Sequence, residues 1–368
     1  MITILANYER ISLFHTMLPF LAVNRQKKIF KFTQSADWCL TKDKNDTLFM
    51  ERCFQHREPR DMEEGELELL KKLRNKYKKI VFFCGQPEAG NNRMDILPYV
   101  DKLFYKSVFT DRGNYCKNLY GKNLFSDFYH TQYGIKDNPQ YIFNSQLTKE
   151  DSLKPELSWN IGLGTYPRWN MRQRLGTILA RTNMPSLGNS IGSMPLKKMF
   201  SGLKDFSDKS RSINVHARID PVTCPSIAHQ RVLFLDIISK LPEENKKLFL
   251  TGMTSQKHYY SELKKSKIVL SPFGWGEVCF RDFEAILCGA LLLKPDMSHL
   301  VTWPNVYIPN ETYVPLKWDG SDLLEKSLYY LNDDAERNRI ASNAFEKYKN
   351  ELSSLSKRAQ DILGEYLA

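Results

Sequence analysis

The sequence has no run of about 18 uninterrupted apolar residues, the length that a bilayer-spanning helix needs. We therefore expect any membrane contact to be peripheral. The first residues, MITILANYERISLFHTMLPFLA, have no positively charged leading region, and Asn7, Glu9 and Arg10 interrupt their apolar run. This pattern disfavours a signal peptide. It predicts a strand at residues 2–6, then a turn and a helix that ends near residue 22.

Paired or clustered cysteines are also missing. The seven cysteines are odd in number and widely scattered, and no Cys-X-X-Cys or Cys/His spacing occurs. Zinc sites use such spacings, and a disulfide framework uses an even set of cysteines in a short chain, so neither is expected. Cys84 and Cys288 lie inside apolar runs, where a free thiol behaves as a small hydrophobic side chain. The pattern favours a reducing, cytoplasmic location, and peripheral contact at the inner face of a membrane is compatible with it.

Basic residues exceed acidic ones, but they do not form a nucleic-acid-binding module. The chain has 53 Lys and Arg against 42 Asp and Glu, a net charge of +11. Basic clusters at residues 71–79, 197–209 and 264–267 lack the interleaved aromatic residues of such a module. We therefore expect an anionic partner, namely a nucleotide diphosphate, an acidic glycan or an anionic membrane face, and no nucleic acid.

The chain of 368 residues exceeds what one hydrophobic core usually fills, so two domains are expected. Strand and helix patterns alternate in the first part, with one charged helix predicted at residues 62–78. Strands are predicted at residues 29–33, 79–84, 103–110 and 125–133. Such alternation is typical of an α/β fold with a parallel sheet.

Polar residues lie at or just after the ends of three of these strands, and α/β proteins bind ligands at the carboxyl ends of their strands. Gln86, Glu88 and Asn91 would line a cleft there, although a simple surface turn explains them at least as well. His130 is a candidate general base for an acceptor hydroxyl. The alternative is a histidine at a strand edge without a catalytic role.

A polar stretch, residues 136–157, has two prolines and no apolar period, which predicts a domain linker. The alternation restarts after it, with a strand at residues 159–163 and a basic helix at residues 168–180. This restart is what a second doubly wound domain would show.

A later strand pattern, residues 212–221, carries His216, Arg218 and Asp220 at alternating positions near its end. Period-two alternation places these side chains on one face of the strand. Two cationic side chains with an acid at a strand tip fit a diphosphate clamp, and a plain ion pair between Arg218 and Asp220 is the alternative. The next predicted strand, residues 248–252, ends in a small-residue turn at Gly252.

The most informative segment is residues 267–296, KIVLSPFGWGEVCFRDFEAILCGALLLKPD. A short apolar strand leads into a turn in which Gly274 and Gly276 flank Trp275. Glycine adopts backbone angles closed to other residues, so main-chain N–H groups can approach a ligand here. A helix predicted at residues 277–287 points its positive N-terminus at the same place, which suits a diphosphate.

Three charged residues of that predicted helix, Glu277, Arg281 and Glu284, are spaced by four and by three and share one face, while Asp282 points elsewhere. An acid, a cation and an acid at the mouth of a sheet can hold a sugar hydroxyl, a phosphate and a ribose diol. The alternative is an ordinary surface ion-pair ladder. The glycine turn ahead of the helix favours the binding site.

The segment GWGEVCFRDFEAILCGALLLKPD, together with LLEKSLYYLNDDAERNRIA at residues 323–341, resembles the C-terminal half of nucleotide-sugar glycosyltransferases with the GT-B fold. It is most similar to the bacterial "glycosyl transferases group 1" branch, whose signature is an arginine, a Phe-Glu-Ala, a Cys-Gly and a downstream helix. The resemblance covers roughly residues 259–367, with gaps. Nothing before residue 150 carries it.

In that family the position of Glu284 binds the ribose of the donor, the acid near the glycine turn, here Glu277, faces the donor sugar, and the arginine, here Arg281, neutralises phosphate. Retaining members place seven residues between the two acids, whereas this chain has six, so the resemblance leaves the stereochemical outcome open. Tyr260, in a helix predicted at residues 259–265, would stack on or cap the nucleotide base, or pack in the core.

The resemblance implies two doubly wound, Rossmann-like domains that face each other across a cleft. Residues 1–150 would form the acceptor side, residues 151–345 the nucleotide-sugar side, and residues 346–368 a helix that packs back on the first domain. The implied reaction moves a sugar from a nucleotide sugar to a hydroxyl of a glycan or polysaccharide precursor, without metal or cofactor, and no Asp-X-Asp occurs. A nucleotide-sugar epimerase or a non-catalytic GT-B binding protein are the alternatives.

Overall fold

The structure is a computed structural model of the chain. It describes residues 1–6, 15–17, 19–20, 29–51, 59–85, 89–90, 93–121, 123–136, 147–163, 200, 211–221 and 225–366. The helix predicted at residues 168–180 lies outside these ranges, as do Gln86, Glu88 and Asn91 and most of the predicted helix that ends near residue 22.

A six-stranded parallel sheet forms the centre of the N-terminal lobe, in the order β2-β1-β3-β4-β5-β7. Its strands are β1 (Ile2–Leu5), β2 (Phe30–Thr33), β3 (Thr47–Glu51), β4 (Lys79–Phe83), β5 (Lys102–Tyr105) and β7 (Pro155–Leu157). β1 is buried along its whole length, and β4 is buried after its first residue. Burial on both faces explains why these strands read as continuous apolar runs.

A second parallel sheet forms the centre of the C-terminal lobe, in the order β13-β11-β10-β8-β9. Its strands are β8 (Ile213–His216), β9 (Phe249–Leu250), β10 (Ser266–Leu270), β11 (Leu291–Pro295) and β13 (Val314–Leu316). Each lobe therefore has its own Rossmann-like sheet, which confirms the fold class predicted from the sequence.

A short antiparallel ribbon links the two lobes. It pairs β6 (Ser107–Phe109) with β12 (Leu300–Thr302). The backbone N–H of Thr110 extends the pairing by donating to the carbonyl of His299 at 2.9 Å. One strand of the ribbon follows β5 of the first sheet and the other follows β11 of the second, so the ribbon ties the lobes together.

Helices pack around both sheets. Those of the N-terminal lobe are α1 (Ala36–Thr41), α2 (Pro59–Lys76) and α3 (Leu124–Tyr133). Those of the C-terminal lobe are α4 (Pro225–Ser239), α5 (Glu243–Lys246), α6 (Gln256–Lys264), α7 (Phe280–Leu287), α8 (Leu323–Asn332), α9 (Asp334–Ser353) and α10 (Leu355–Leu363). None of the described helices is both long enough and apolar enough to cross a bilayer.

The last helices return to the N-terminal lobe, as the resemblance implied. Arg358 of α10 donates to the carbonyls of Leu157 at 2.6 Å and Ser158 at 3.1 Å, at the end of β7. Beyond α10, the ring of Tyr366 lies 5.2 Å from the ring of Phe49 in β3. The C-terminal segment therefore contacts the N-terminal lobe at two places, the edge strand β7 and one face of the first sheet at β3.

The prediction of a strand at residues 125–133 is wrong, because this segment belongs to the helix α3. Phe125 and Tyr129, four residues apart, are both buried, which is helical spacing. Gly134 ends the helix in the left-handed conformation, at a φ of 67° that glycine adopts without strain. The aromatic content of the segment suggested a strand, but packing against the other lobe decides its conformation.

Three further predictions in this part of the chain need correction. The strand predicted at residues 103–110 divides at Lys106 into β5 and β6, which belong to different sheets. The strand predicted at residues 159–163 contains a 3₁₀ helix, Ile161–Leu163. The predicted linker supplies β7, so the first sheet extends beyond residue 150. The sequence analysis also missed α1 and β3.

Gly162 is a position where a side chain would disturb the packing of the lobes. A Cβ there would lie 2.5 Å from the ring of Phe283 and 2.9 Å from the side-chain oxygen of Asn160. We expect Gly162→Ala to lower the free energy of unfolding by about 1–3 kcal/mol, because overpacking forces neighbours out of place. Urea denaturation measures the change. Gly364→Ala is the matched control, since a Cβ there has nothing within 4 Å, and an equal loss in both variants would contradict the explanation.

Candidate functional site

A cavity of about 570 Å³ lies between the two lobes. The N-terminal part of the chain contributes Gly85, Lys106 and Ile161 to its wall. The C-terminal lobe contributes Arg231, Gln256, Tyr259, Tyr260, Ser271, Pro272, Gly274, Trp275, Gly276, Val278, Cys279, Phe280, Arg281 and Glu284. The carboxyl ends of β4, β5 and β10 all lead to this cavity, which is where open α/β sheets bind ligands.

The glycine turn forms much of the cavity wall. It follows β10, and the backbone N–H of Gly274 donates to the carbonyl of Gly276 at 2.9 Å, which closes the turn. A Cβ on Gly274 would lie 3.1 Å from Sγ of Cys279 and 3.3 Å from Nη2 of Arg231, so the backbone approaches its neighbours closely here. Trp275, at the tip, is 69% exposed. The turn therefore faces the cavity with a compact backbone and one aromatic side chain.

The helix α7 begins at Phe280, three residues after the predicted start. The carboxylate of Asp282 accepts a hydrogen bond from the backbone N–H of Cys279 at 2.9 Å and so caps the helix at that residue. Glu277 therefore lies in the loop before the helix and does not share a helical face with Arg281. Phe280 and Arg281, in the first turn, line the cavity. The positive end of the helix dipole points to the same region.

Glu284 is held by hydrogen bonds in the wall of the cavity. Its carboxylate oxygens accept from the hydroxyl of Tyr259 at 2.9 Å and from that of Tyr260 at 2.6 Å. Burial raises the pKa of Glu284, while these two hydrogen bonds and the nearby Arg281 act to lower it. The site thus contains one partly buried acid that is oriented by two phenols.

Three cationic side chains line the same cavity, and Glu284 is the single acid among its lining residues in the described ranges. The guanidinium of Arg231 donates to the carbonyls of Phe273, at 2.9 Å, and Asp220. That of Arg281 donates to the carbonyl of Arg218 and, at 3.4 Å, to that of Leu270. Lys106 reaches the cavity from the other lobe. This excess of positive charge suits an anionic ligand.

Residues 236–364 match the family model described as "Glycosyl transferase-like". The matched segment carries the glycine turn, α7 and the helices α8 and α9, and it belongs to a chain with two Rossmann-like sheets. The C-terminal part of the chain therefore resembles the glycosyltransferases, and the two sheets have the arrangement of the GT-B fold. The resemblance inferred from the sequence is therefore confirmed for the C-terminal part of the chain.

Solved structures resemble this chain over most of its length, at low sequence identity. An alpha-glucosyltransferase in complex with UDP aligns with a TM-score of 0.47 and 11% identity, covering 99% of this chain and 98% of that one. An alpha,alpha-trehalose-phosphate synthase (UDP-forming) from Burkholderia xenovorans aligns with a TM-score of 0.41 and 11% identity, covering 90% and 74%. A comparison with curated proteins finds no match.

His216 and Arg218 are directed to Glu262 rather than to the cavity. The guanidinium of Arg218 donates to both carboxylate oxygens of Glu262, at 3.0 and 2.7 Å. Nε2 of the buried His216 lies 3.2 Å from the same carboxylate, and burial is the main cause that lowers the pKa of His216 to about 4. The ion pair considered between Arg218 and Asp220 is thus replaced by a pair with Glu262, and neither cation lines the cavity.

Gly252 and His130 are also absent from the cavity wall in the described part of the chain. Gly252 adopts a φ of 89° in the turn after β9 and lies near the guanidinium of Arg218. His130 is in the last turn of α3, where its ring stacks on that of Tyr120 with centroids 3.8 Å apart and Nδ1 lies 2.8 Å from the carbonyl of Ile135. The structure therefore gives His130 a packing role at the end of the helix.

Glu277 is fully buried beside the glycine turn. Nε2 of His299 lies 3.7 Å from Oε1 of Glu277. Within the described ranges, both carboxylate oxygens of Glu277 and both ring nitrogens of His299 have no hydrogen-bond partner. Gly276 and Val278, on either side of Glu277 in the chain, line the cavity. The acid is therefore next to the site but behind its surface.

The sequence analysis missed two of the cations in the site. Lys106 follows β5 directly, and its place at the carboxyl end of a strand was the available signal. Arg231 lies within α4, and its sequence neighbours give no indication that the helix passes the glycine turn. Among the described residues, no group of three His, Cys, Asp or Glu side chains is placed to hold a metal ion.

Proposed function

We propose that this protein is a glycosyltransferase that moves a sugar from a nucleoside-diphosphate sugar to a hydroxyl group of a glycan or polysaccharide precursor. The observation that carries the proposal is the interlobe cavity in which a helix N-terminus, two arginines and a lysine meet a partly buried acid. A nucleoside-diphosphate sugar has a matching distribution of groups: an anionic diphosphate between a ribose diol and a sugar.

The diphosphate would lie between the glycine turn and the start of α7. Arg281 and Arg231 are anchored there by backbone carbonyls, so their guanidinium groups are held in position before the ligand arrives. Their fork of N–H donors suits phosphate oxygens. The positive end of the helix dipole adds to the same stabilisation.

The ribose would bind at Glu284, whose carboxylate can accept from hydroxyl groups. The sugar would extend towards Glu277. The two residues next to Glu277 in the chain, Gly276 and Val278, belong to the cavity wall. Trp275 is exposed at the mouth and would offer an aromatic face to a sugar ring of the acceptor. The hydroxyl of that acceptor would approach from the side of Lys106 and Gly85.

In the proposed reaction the bond between the anomeric carbon and the diphosphate breaks, and a bond from the acceptor oxygen to that carbon forms. Negative charge builds up on the leaving diphosphate. Arg281, Arg231 and the N-terminus of α7 would stabilise that charge directly, without a divalent metal ion or another cofactor. The acceptor proton would pass to a base in the N-terminal lobe or to the leaving phosphate.

A nucleotide-binding screen tests the proposal. Thermal unfolding would be followed with UDP, GDP, ADP, CDP and dTDP, each with its glucose conjugate. A ligand at about 100 times its dissociation constant should raise the free energy of unfolding by about 2.7 kcal/mol. The binding nucleotide sugar is then incubated with and without saccharide acceptors in the presence of EDTA.

The expected result is a shift with one nucleotide class and a glycosylated product that forms only with an acceptor and persists in EDTA. No shift with any nucleotide would contradict the proposal. Conversion of the nucleotide sugar without an acceptor into an isomer would identify an epimerase instead. Binding without turnover on any acceptor would point to a non-catalytic protein.

A further inference from the structure

Two tyrosines that are adjacent in sequence bind the same carboxylate. The hydroxyl of Tyr259 donates to Oε2 of Glu284 at 2.9 Å, and the hydroxyl of Tyr260 donates to Oε1 at 2.6 Å. All three side chains line the cavity. Each carboxylate oxygen therefore receives one phenolic hydrogen bond, which fixes the plane of the group.

This convergence is a tertiary arrangement and not a by-product of helix geometry. Neighbouring residues on an α-helix do not face each other. Here the rings of Tyr259 and Tyr260 are 5.5 Å apart at an angle of 80°, and both reach across from α6 to α7. Ser255 caps α6 by accepting from the backbone N–H of His258 at 3.4 Å, which fixes where the helix starts.

The carboxylate has room for further donors. An ionised carboxylate offers about four lone-pair positions, of which the tyrosines fill two. Two positions match two vicinal hydroxyl groups, as in the 2′,3′-diol of a ribose. The Tyr259 ring also lies 6.0 Å from the guanidinium carbon of Arg281, so the same pair of tyrosines borders the proposed diphosphate position.

We propose that Tyr259 and Tyr260 are positioning residues that hold Glu284 for the ribose diol, so that the donor is a ribonucleotide sugar and its 2′-deoxy counterpart is rejected. This inference rests on the proposed function. A site built to receive a hydroxyl group discriminates strongly against the analogue that lacks it, because its buried polar group is then left without a partner.

Isothermal titration with matched nucleotide pairs tests the inference. The probes are UDP and 2′-deoxy-UDP, with the corresponding GDP and ADP pairs used in the same way. In the unmodified protein the ribonucleotide that binds should do so about tenfold or more tightly than its deoxy form. Tyr259→Phe and Tyr260→Phe should each weaken binding of the ribonucleotide at least about threefold. In the double variant, the ratio of ribonucleotide to deoxynucleotide affinity should be close to one.

Tyr329→Phe is the matched control, because Tyr329 is 56% exposed on α8 and outside the cavity. It should leave both affinities unchanged. Equal affinity of the unmodified protein for UDP and 2′-deoxy-UDP, or for whichever pair binds, would overturn the inference without any variant. A discrimination ratio that persists in the folded double variant would overturn the role of the tyrosines. Failure of every nucleotide to bind would instead reject the proposed function, on which the ribose discrimination and the role of the tyrosines both rest.

The pH dependence of binding supplies a readout that a merely structural role would not move. The groups whose hydrogen bonds or charges act on Glu284 are Tyr259 and Tyr260 from α6, and Arg281, Asp282 and Cys288 from its own helix and the residue that follows it. Removing the phenolic donors takes away hydrogen bonds that lower the pKa of Glu284, so its pKa should rise further. As the pH is lowered, protonation of Glu284 should reduce ribonucleotide affinity, and this loss should begin at a higher pH in the phenylalanine variants than in the unmodified protein. The same pH of onset in both would count against the inference.

Discussion

Replacing Arg281 by alanine should lower kcat/KM by about 100-fold or more, the loss seen when one preorganised donor to developing charge is removed. The side chain lines the cavity at the first turn of α7, and backbone carbonyls of Arg218 and Leu270 hold its guanidinium in place. Its charge would be needed most when the diphosphate departs. Steady-state kinetics with the donor identified by the binding screen measures the effect.

Arg281→Lys and Arg339→Ala complete this experiment. Lysine keeps the charge but not the planar fork, so Arg281→Lys should recover part of the loss. Arg339 lies on α9 in an exposed pair with Glu336, at 2.6 Å, and its removal should change kcat/KM less than about twofold. Equal activity of Arg281→Ala and Arg339→Ala would remove Arg281 from the mechanism.

Replacing Lys294 by methionine should lower the free energy of unfolding by about 3–5 kcal/mol, because it leaves a buried charge without its partner. Lys294 and Asp282 are both fully buried, and their charged atoms are 3.1 Å apart. Asp282 also accepts from Ser271, at 2.5 Å, and from Tyr307, at 2.6 Å. The pair therefore lies at the centre of a network behind the N-terminus of α7.

Urea denaturation of two further variants shows whether the charge is the cause. In Lys294→Met with Asp282→Asn the unpaired carboxylate is gone, so the double variant should recover part of the lost stability. Lys240→Met removes a pair with Asp236 at 2.6 Å in which the lysine side chain is 74% exposed, and it should cost less than about 1 kcal/mol. A loss at Lys294 no larger than at Lys240 would contradict the prediction.

The strongest local patterns of the sequence predicted the second lobe well. The run from β10 through the glycine turn to α7 is continuous in sequence, so its strand, turn and helix are specified by neighbouring residues. Glu284 and Arg281 lie in that run, and both line the cavity. The exact start of α7 was three residues in error, because the cap depends on the side chain of Asp282.

Contacts between distant segments explain most of what the sequence could not predict. Arg218 was expected near a ligand, but its partner Glu262 is 44 residues away on α6 and is brought next to β8 by packing alone. The helix α3 was mistaken for a strand because aromatic residues are common in strands. In the structure, these residues pack against the other lobe. There, the hydroxyl of Tyr129 accepts a hydrogen bond from Gln230 at 2.7 Å, a contact between lobes that no local pattern reports.

The β6–β12 ribbon takes one strand from each lobe, so neither lobe can form it alone. Three residues per strand form no stable ribbon by themselves. In an isolated C-terminal fragment, β12 would present unpaired N–H and C=O groups next to Val301, which is 41% exposed even in the whole chain. Such an open edge is a template for aggregation. Despite its two sheets, this chain is therefore a poor candidate for dissection into separately expressed halves.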